Sequence, residues 1–396
     1  MGFLLKQTIG SLTVSLNVVK LFGLLVPGQL TKKQRTMFMW YQISWYIYMN
    51  GIYLIVQAGD LFLIWGDVPL MVSTSLLLFT NIALGMKIIN VMLRRSAVQN
   101  IIDDGEKELA NEDREEGVAI IQSCNRETSQ FSNLYIFLAA TTVAAWATSA
   151  ESGDLPLRAW YPYDTSKSPA YELTYFYQIS ALSTSAAVNI NLDIVATSLI
   201  AVCRCRLKLV NLSLMNLCKG PFVSTNGSHQ TVEEIILERV KACVRHHQAV
   251  LSSARQIQRC FSIPVLAQFT VSMVIICVTA YQLVVELHDT PINVVRLASM
   301  SGYLLCMTLQ VFLYCYQGNQ LMIESTEVAS AAYSCPWYLC SLRFRRALLI
   351  IMIRSKRASQ LTAGGFTTLS LSCFTAIVKA SYTFFTVLQR VEDRQK

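Results

Sequence analysis

Residues 173–203 read LTYFYQISALSTSAAVNINLDIVATSLIAVC, 31 consecutive positions that carry a single charge, Asp193. A helix of about 20 apolar residues crosses the roughly 30 Å hydrocarbon layer of a bilayer, and this stretch would extend about 46 Å at 1.5 Å per residue. It therefore reads as a transmembrane helix whose end projects beyond the membrane. Arg204, Arg206 and Lys208 follow at once and make that end basic. Moving outward with the same window places six further spans near 37–58, 68–93, 131–150, 263–285, 294–316 and 363–388. The expected fold class is an all-α membrane protein: one seven-helix domain over residues 1–396, with helical extensions on the cytoplasmic side.

The side of the extensions follows from Lys and Arg. The N-terminal segment and the second, fourth and sixth loops carry 5, 5, 9 and 6 basic residues, whereas the first, third and fifth loops and the tail carry 0, 2, 0 and 3. The remaining three, Lys87, Arg296 and Lys379, lie inside spans. Basic loops stay cytoplasmic, so the N-terminus is expected inside and, after seven spans, the C-terminus outside. A heptahelical G-protein-coupled receptor has the opposite orientation.

Composition agrees: 53% of residues are apolar, 15% are charged, and the mean hydropathy is +0.41. The net charge of +8 reads as loops facing an anionic leaflet. No basic run interleaves with exposed aromatics, so nucleic acid is not an expected partner, while membrane lipid is. The first 30 residues lack one clean apolar core, being interrupted by Lys20 and Pro27, so insertion is expected to use the first span. None of the twelve cysteines falls in an outer loop, and free thiols are expected. The sequons at Asn211 and Asn226 sit on the cytoplasmic side and are expected to stay unglycosylated.

The outer loops, of 9, 22 and 8 residues, are too short for an external binding domain, so an outside ligand must bind between helices. Residues 232–261 place Val232, Ile236, Val240, Val244, Leu251, Ala254, Ile257 and Phe261 mostly three, four or seven apart. That is an amphipathic helix, and its Glu233, Glu234 and Glu238 favour a helical partner over an anionic membrane surface. Pro264 is read as the start of the fifth span. The eight carboxylates between Asp103 and Glu116 lack EF-hand spacing and read as a solvated helix face. Cys243 and His247, four apart, have no second ligand pair and read as packed side chains rather than a metal site. No Walker loop, nucleophile elbow, zinc-protease motif or dinucleotide fingerprint occurs, so neither catalytic residues, a metal nor a cofactor is expected, and the chain does not read as an enzyme.

The last span is rich in hydroxyls, and Thr368, Ser372, Thr375, Lys379, Thr383 and Thr386 recur every three or four residues as a stripe on one helix face. Such a stripe either bonds neighbouring helices or lines a water-filled path. Span four is also polar, with Ser180, Thr184, Asn189, Asn191 and Asp193, so polarity alone does not choose between the two helices. Beside Thr383, Val387 and Val391 lie one turn apart, and an apolar ring next to a polar wall is what a dewetting gate needs. One copy of this helix cannot enclose a pore, so a channel reading requires an oligomer. Lys87, near the cytoplasmic end of span two, reads as snorkelling to the interface, and Asp193 awaits a basic partner that the sequence does not name. Candidate ligand-binding residues in the outer halves of the spans are Leu76, Phe79 and Thr80, then Ala139, Thr142 and Trp146. Phe176, Ile179, Ser180 and Ser183 join them from span four, and Val278 and Tyr281 from span five. Small residues leave room, and aromatics with a few hydroxyls give a cavity its shape; ordinary helix packing is the competing reading.

The run Phe374-Thr-Ala-Ile-Val-Lys379-Ala-Ser-Tyr382-Thr-Phe-Phe-Thr-Val-Leu388 resembles the last-helix signature of insect odorant receptors. Leu155-Pro156 followed by Trp160-Tyr161-Pro162-Tyr163-Asp164 is similar to that family's second outer loop, and Leu21-Phe-Gly-Leu-Leu-Val-Pro27 to its N-terminal segment. Gustatory receptors end in a Thr-Tyr and Gln-Phe pattern, where this chain has Ser381-Tyr382 and Gln389-Arg390. The resemblance implies a subunit of a ligand-gated, non-selective cation channel in the plasma membrane of a sensory neuron dendrite. It would assemble with a shared odorant receptor coreceptor as a tetramer, with a pore made by the seventh helices. Coreceptors carry an expanded second cytoplasmic loop; here that loop is the 59 residues 204–262, which implies the odour-tuned subunit.

Carried over, the pore and gate residues are Thr383, Val387, Arg390 and Val391, with Arg390 standing where the coreceptor has Gln. Trp146 is the best single pocket correspondence. The implied mechanism is that a small volatile fills a cavity between spans two to six and favours withdrawal of Val387 and Val391 from the axis. Cytoplasmic helices would hold the subunits together. A secondary transporter would show inverted repeats or broken helices, and the sequence has neither. A gustatory-type channel would share the mechanism and differ in ligand and partner.

Overall fold

The computed structural model describes residues 10–24, 31–66, 68–148, 155, 157, 159–165, 167–219, 229–288 and 293–393. The described residues are mostly helical. After α1 (Gly10–Leu21), the first span is a composite of α2 (Lys32–Tyr46), a π-helical turn (Ile47–Gly51) and α3 (Ile52–Leu63). A capping box starts it: Thr31 Oγ1 accepts from the Gln34 amide at 3.4 Å, and Gln34 Oε1 accepts from the Thr31 amide at 3.0 Å. Then come α4 (Val68–Ala110), α5 (Glu115–Thr148), α6 (Ala170–Met215), α7 (His229–His288) and α8 (Val294–Tyr333). A short α9 (Leu342–Ser355), a two-stranded hairpin of β1 (Thr362–Ala363) and β2 (Thr367–Thr368), and α10 (Leu371–Asp393) complete the chain. Among the described residues, six single helices are long and apolar enough to cross a membrane; the first span makes its crossing in three pieces.

The spans and the amphipathic segment become parts of longer rods. The extension of span four past residue 203 continues to Met215 within α6. The amphipathic stretch and span five fuse into the 60-residue α7, which runs through Pro264 without ending there. Proline cannot donate to the carbonyl four residues before it. That carbonyl, Cys260 O, accepts from Asn90 Nδ2 of α4 at 2.8 Å, so a neighbour replaces the lost helical bond. Arg94, the one non-helical residue of α4, donates to the next carbonyl back, Arg259 O. The expected break at Pro264 is thereby absorbed.

The start of the seventh span differs from expectation. Residues 363–368 form the hairpin instead of helix, because Gly364 and Gly365 take φ of +59° and +80°, which L side chains rarely adopt. Gly364 N donates to Ser262 O at 2.9 Å, and Gln258 Nε2 reaches Thr362 O at 3.0 Å, tying the hairpin to α7. Ser370 then caps α10 by accepting from the Cys373 amide at 3.3 Å.

The core sits at the basic end, where α6 is surrounded by α1, α4, α5, α7 and α8. In α1, Leu12, Leu16 and Val19 form one buried stripe against this bundle. Two of the basic residues counted towards the membrane surface are inside it. Arg204, 1% exposed, holds Glu127 bidentately at 2.9 and 3.0 Å, and Tyr316 donates to the same carboxylate at 2.7 Å. Arg206 pairs with Glu108 and donates to Ser253 Oγ at 2.9 Å. The acidic run is correspondingly less solvated than its composition implies: Glu108 also meets His246 Nδ1 at 3.0 Å. In the loop before α5, Arg114 grips Glu112 with two 2.7 Å bonds and holds its carboxyl below the usual range. All twelve cysteines are buried free thiols, with Cys218 and Cys340 sulfurs 3.6 Å apart.

Candidate ligand cavity and the bare face of the last helix

At the end opposite the basic bundle, α4, α5, α6 and α8 diverge around a cavity of about 80 Å³. Its walls place Thr80 and Asn81 of α4 opposite Tyr303, Cys306 and Met307 of α8. Between them lie Ala139, Thr142 and Trp146 of α5, with Leu182, Ser185 and Asn189 of α6. The Thr80 and Tyr303 hydroxyls are 2.7 Å apart, and the Trp146 and Tyr303 rings meet at 5.1 Å with a 45° tilt. The Thr142 hydroxyl lies 3.9 Å from the Cys306 sulfur. Apolar and aromatic surface with a few hydroxyls suits a small, mostly apolar molecule with one or two hydrogen-bonding groups.

Of the residues singled out in the sequence, Thr80, Ala139, Thr142 and Trp146 are brought together here. Leu76 and Val278 pack one layer behind, against Ile275, Tyr303 and Met307. Ile179, Ser180 and Tyr281 are partly buried but outside the lining, and the Ser180 hydroxyl is spent on Tyr177 O at 2.9 Å. Phe79, Phe176 and Ser183 are exposed, Phe176 by 72%, and turn away from the cavity. The reason on α6 is rotational. Positions 176, 179, 180 and 183 form one helical stripe, and the cavity takes the stripe 182, 185 and 189.

Beneath the cavity lies a polar floor that sequence reading missed. Lys87 does not snorkel: it is 5% exposed, 2.7 Å from Asp193 Oδ1 and 2.8 Å from Asn189 Oδ1. Tyr314 donates to Asp193 Oδ1 at 2.8 Å, Gln310 Nε2 donates to Oδ2, and Tyr135 reaches Oδ2 at 3.4 Å. Gln268 of α7 in turn donates to Gln310 Oε1 at 2.9 Å. Four helices thus meet at one carboxylate, and Gln310 links it to a fifth, α7. The signal was present, since Lys87, Asp193, Gln268 and Gln310 each interrupt an apolar window, and an ionisable residue at that depth requires a partner.

The last helix is built the other way. It packs one side on α7 and α8, with Ser381 Oγ donating to Met273 O at 3.1 Å and Phe374 set edge-on to Phe312 at 5.5 Å. Of the expected stripe, Thr368 lies in β2 rather than on the helix; it and Ser372, Thr375, Lys379 and Thr383 of α10 are exposed, and Thr386 is partly so. The hydroxyls of Thr375, Thr383 and Thr386 turn back to carbonyls of their own helix, at 2.8 to 2.9 Å. Val387 is 51% exposed and Arg390 is exposed; the side chain of Val391 lies outside the described residues.

A sequence model of the family described as 7tm odorant receptor matches residues 67–382. Odorant receptor 2a of Drosophila melanogaster is 26% identical over 324 residues, 79% of this chain and 80% of that protein. Odorant receptor 46a (isoform A) of the same species is 27% identical over 68% of each chain. The odorant receptor coreceptor of Ooceraea biroi is 29% identical over 43% of this chain and 35% of its own. The insect olfactory receptor OR5 of Machilis hrabei, solved in complex with eugenol, shares the fold with a TM-score of 0.78 at 17% identity, covering 96% of this chain and 97% of that one. Sequence match and architecture agree, and the chain belongs to the 7tm odorant receptor family.

Proposed function

We propose that the chain is the odour-tuned subunit of a heteromeric, ligand-gated, non-selective cation channel, assembled with an odorant receptor coreceptor in the dendritic plasma membrane of a sensory neuron. The observation that carries this reading is the polar stripe of α10, exposed on its own chain while the helix packs only through a narrow side on α7 and α8. A membrane helix with that division of faces needs other subunits around a water-filled axis. The basic-residue count supports a cytoplasmic N-terminus.

In this reading a small volatile occupies the cavity at Thr80, Thr142, Trp146 and Tyr303 and favours the open state by its differential affinity. The signal passes through α8, which carries Tyr303 at the cavity and Phe312 against Phe374 of α10. Motion of α10 then withdraws Val387 and Val391 from the axis, while Thr383 and Arg390 face the permeating ions.

Whole-cell current would be recorded from cells expressing this chain with and without an insect coreceptor, under a mixed odorant panel with G-protein signalling blocked. Fast cation current that requires both chains is the expected result. Odour responses that vanish with the G-protein block would overturn it.

A further inference from the structure

Beside the main cavity, separated from it by Leu84 and Ser185, which line both, lies a second space of about 30 Å³ between the first span, α4 and α6. Most of its wall is hydrocarbon or thioether, including Phe22, Met49, Ile88 and Met92. Among the described residues, three buried polar atoms in this wall nevertheless have no hydrogen-bond partner: the indole N–H of Trp45, the side-chain oxygen of Asn50 and the hydroxyl of Ser185. A buried polar group without a partner costs about 1–3 kcal/mol, so three around one small space call for an occupant.

The arrangement is built by the backbone. The π-helical turn Ile47–Gly51 adds a residue to the first span, and the adjacent Met49 and Asn50 are both buried as a result. Asn50 can approach α4 because Gly85 stands opposite; a Cβ there would lie 2.9 Å from the Tyr46 hydroxyl and 3.6 Å from Asn50 Nδ2. The Asn50 amide nitrogen is spent on Tyr46 Oη at 3.5 Å and Asn81 O at 3.4 Å, leaving its oxygen directed elsewhere.

We infer that this space is a second ligand site, taking an apolar molecule that carries one hydroxyl, such as an aliphatic alcohol. The class follows from the orphan atoms. Trp45 can only donate, Asn50 Oδ1 can only accept, and a ligand hydroxyl answers both at once. An ether or ketone would satisfy Trp45 and leave Asn50 unpaired, and a carboxylate would repel the Asn50 oxygen. The hydroxyl fits the existing space, and Met49 and Met92, flexible thioethers, yield to the hydrocarbon chain. The shared Leu84–Ser185 wall then lets the occupant influence the main cavity. The site stands whether or not the chain conducts ions.

The test uses the full-length receptor in lipid nanodiscs and two photoactivatable probes, octan-1-ol and octane, each carrying a diazirine, with adducts mapped by mass spectrometry. The expected result is octanol-probe adducts on Trp45, Met49 or Met92 that excess octan-1-ol competes away. The octane probe should label there about thirtyfold less, the worth of two hydrogen bonds at about 1 kcal/mol each. Trp45→Phe, which removes the indole N–H from the wall of the second space alone, should lower octanol labelling there and spare adducts at Trp146. Equal labelling by the two probes would reduce the space to an unselective apolar gap. Adducts confined to the main cavity would assign the orphan atoms to water. Either result overturns the site, and the two-probe comparison on the unmutated receptor decides even if a variant fails to fold.

Discussion

Two helices of this receptor are similarly rich in hydroxyls and nearly opposite in their surroundings. In its most apolar 18-residue window α6 is 89% buried within the chain, whereas α10 is 11% buried. Many polar groups of α6 are matched inside the chain, Asp193 alone binding partners on α4, α5 and α8, and the orphan hydroxyl of Ser185 is an exception among the described residues. Those of α10 turn back on their own carbonyls and face outward. Hydroxyl content therefore says little about a membrane helix until its partners are known. A polar face answered inside the chain is architecture, and one left bare is the face the proposed assembly would use.

The comparison is broken most directly at Asp193. Asp193→Ala strands the buried Lys87 charge, and removing one member of such a pair costs about 3–5 kcal/mol. Thermal unfolding followed by size-exclusion should show loss of most folded receptor, and Lys87→Met combined with Asp193→Leu should recover much of it. Wild-type stability in Asp193→Ala would mean that the α6 network is ornamental.

On α10, Val387→Ser should leave stability within about 0.5 kcal/mol, as at an exposed site, while raising the resting cation leak of the assembled channel. A large loss of folding with no leak would instead make α10 a structural helix like α6. At the cavity, Trp146→Ala removes the wall that Tyr303 packs on. It should raise the half-maximal odorant concentration about tenfold, equivalent to about 1.4 kcal/mol; an unshifted dose–response curve would exclude the cavity as the binding site. The smallest effect is expected from Thr383→Val, whose hydroxyl donates to the Lys379 carbonyl of its own helix at 2.9 Å. Single-channel conductance should fall modestly with no change in unfolding temperature, and a marked destabilisation would show a partner that the single chain does not reveal.

Hydropathy made the crossings legible because a bilayer imposes a length and forbids unpaired charge. It misjudged the start of the seventh span, since residues 363–370 are apolar enough to join the window while Gly364 and Gly365 turn the chain. The cavity was half legible. Thr80, Thr142 and Trp146 stood out by chemistry, but the rotation of α6 decides between Ser183 and Ser185, and single-sequence periodicity does not fix rotation in a helix buried on nearly every side. Lys87 was misread because a flexible stem permits snorkelling and the competing partner, Asp193, lies 106 positions away.

The repair at Pro264 has a mechanical consequence. With the carbonyl of Cys260 held by Asn90, α7 stays one rod of about 90 Å. Its weakest point lies a little past the middle, pinned sideways to α4 and to the Gly364 hairpin that launches α10. A long lever over a pinned fulcrum trades angle for distance: a tilt of about 5° moves the longer arm's tip by roughly 5 Å and the shorter arm's by roughly 3 Å. One arm of that lever lies alongside the helix that carries Val387, and the other is locked into the basic bundle.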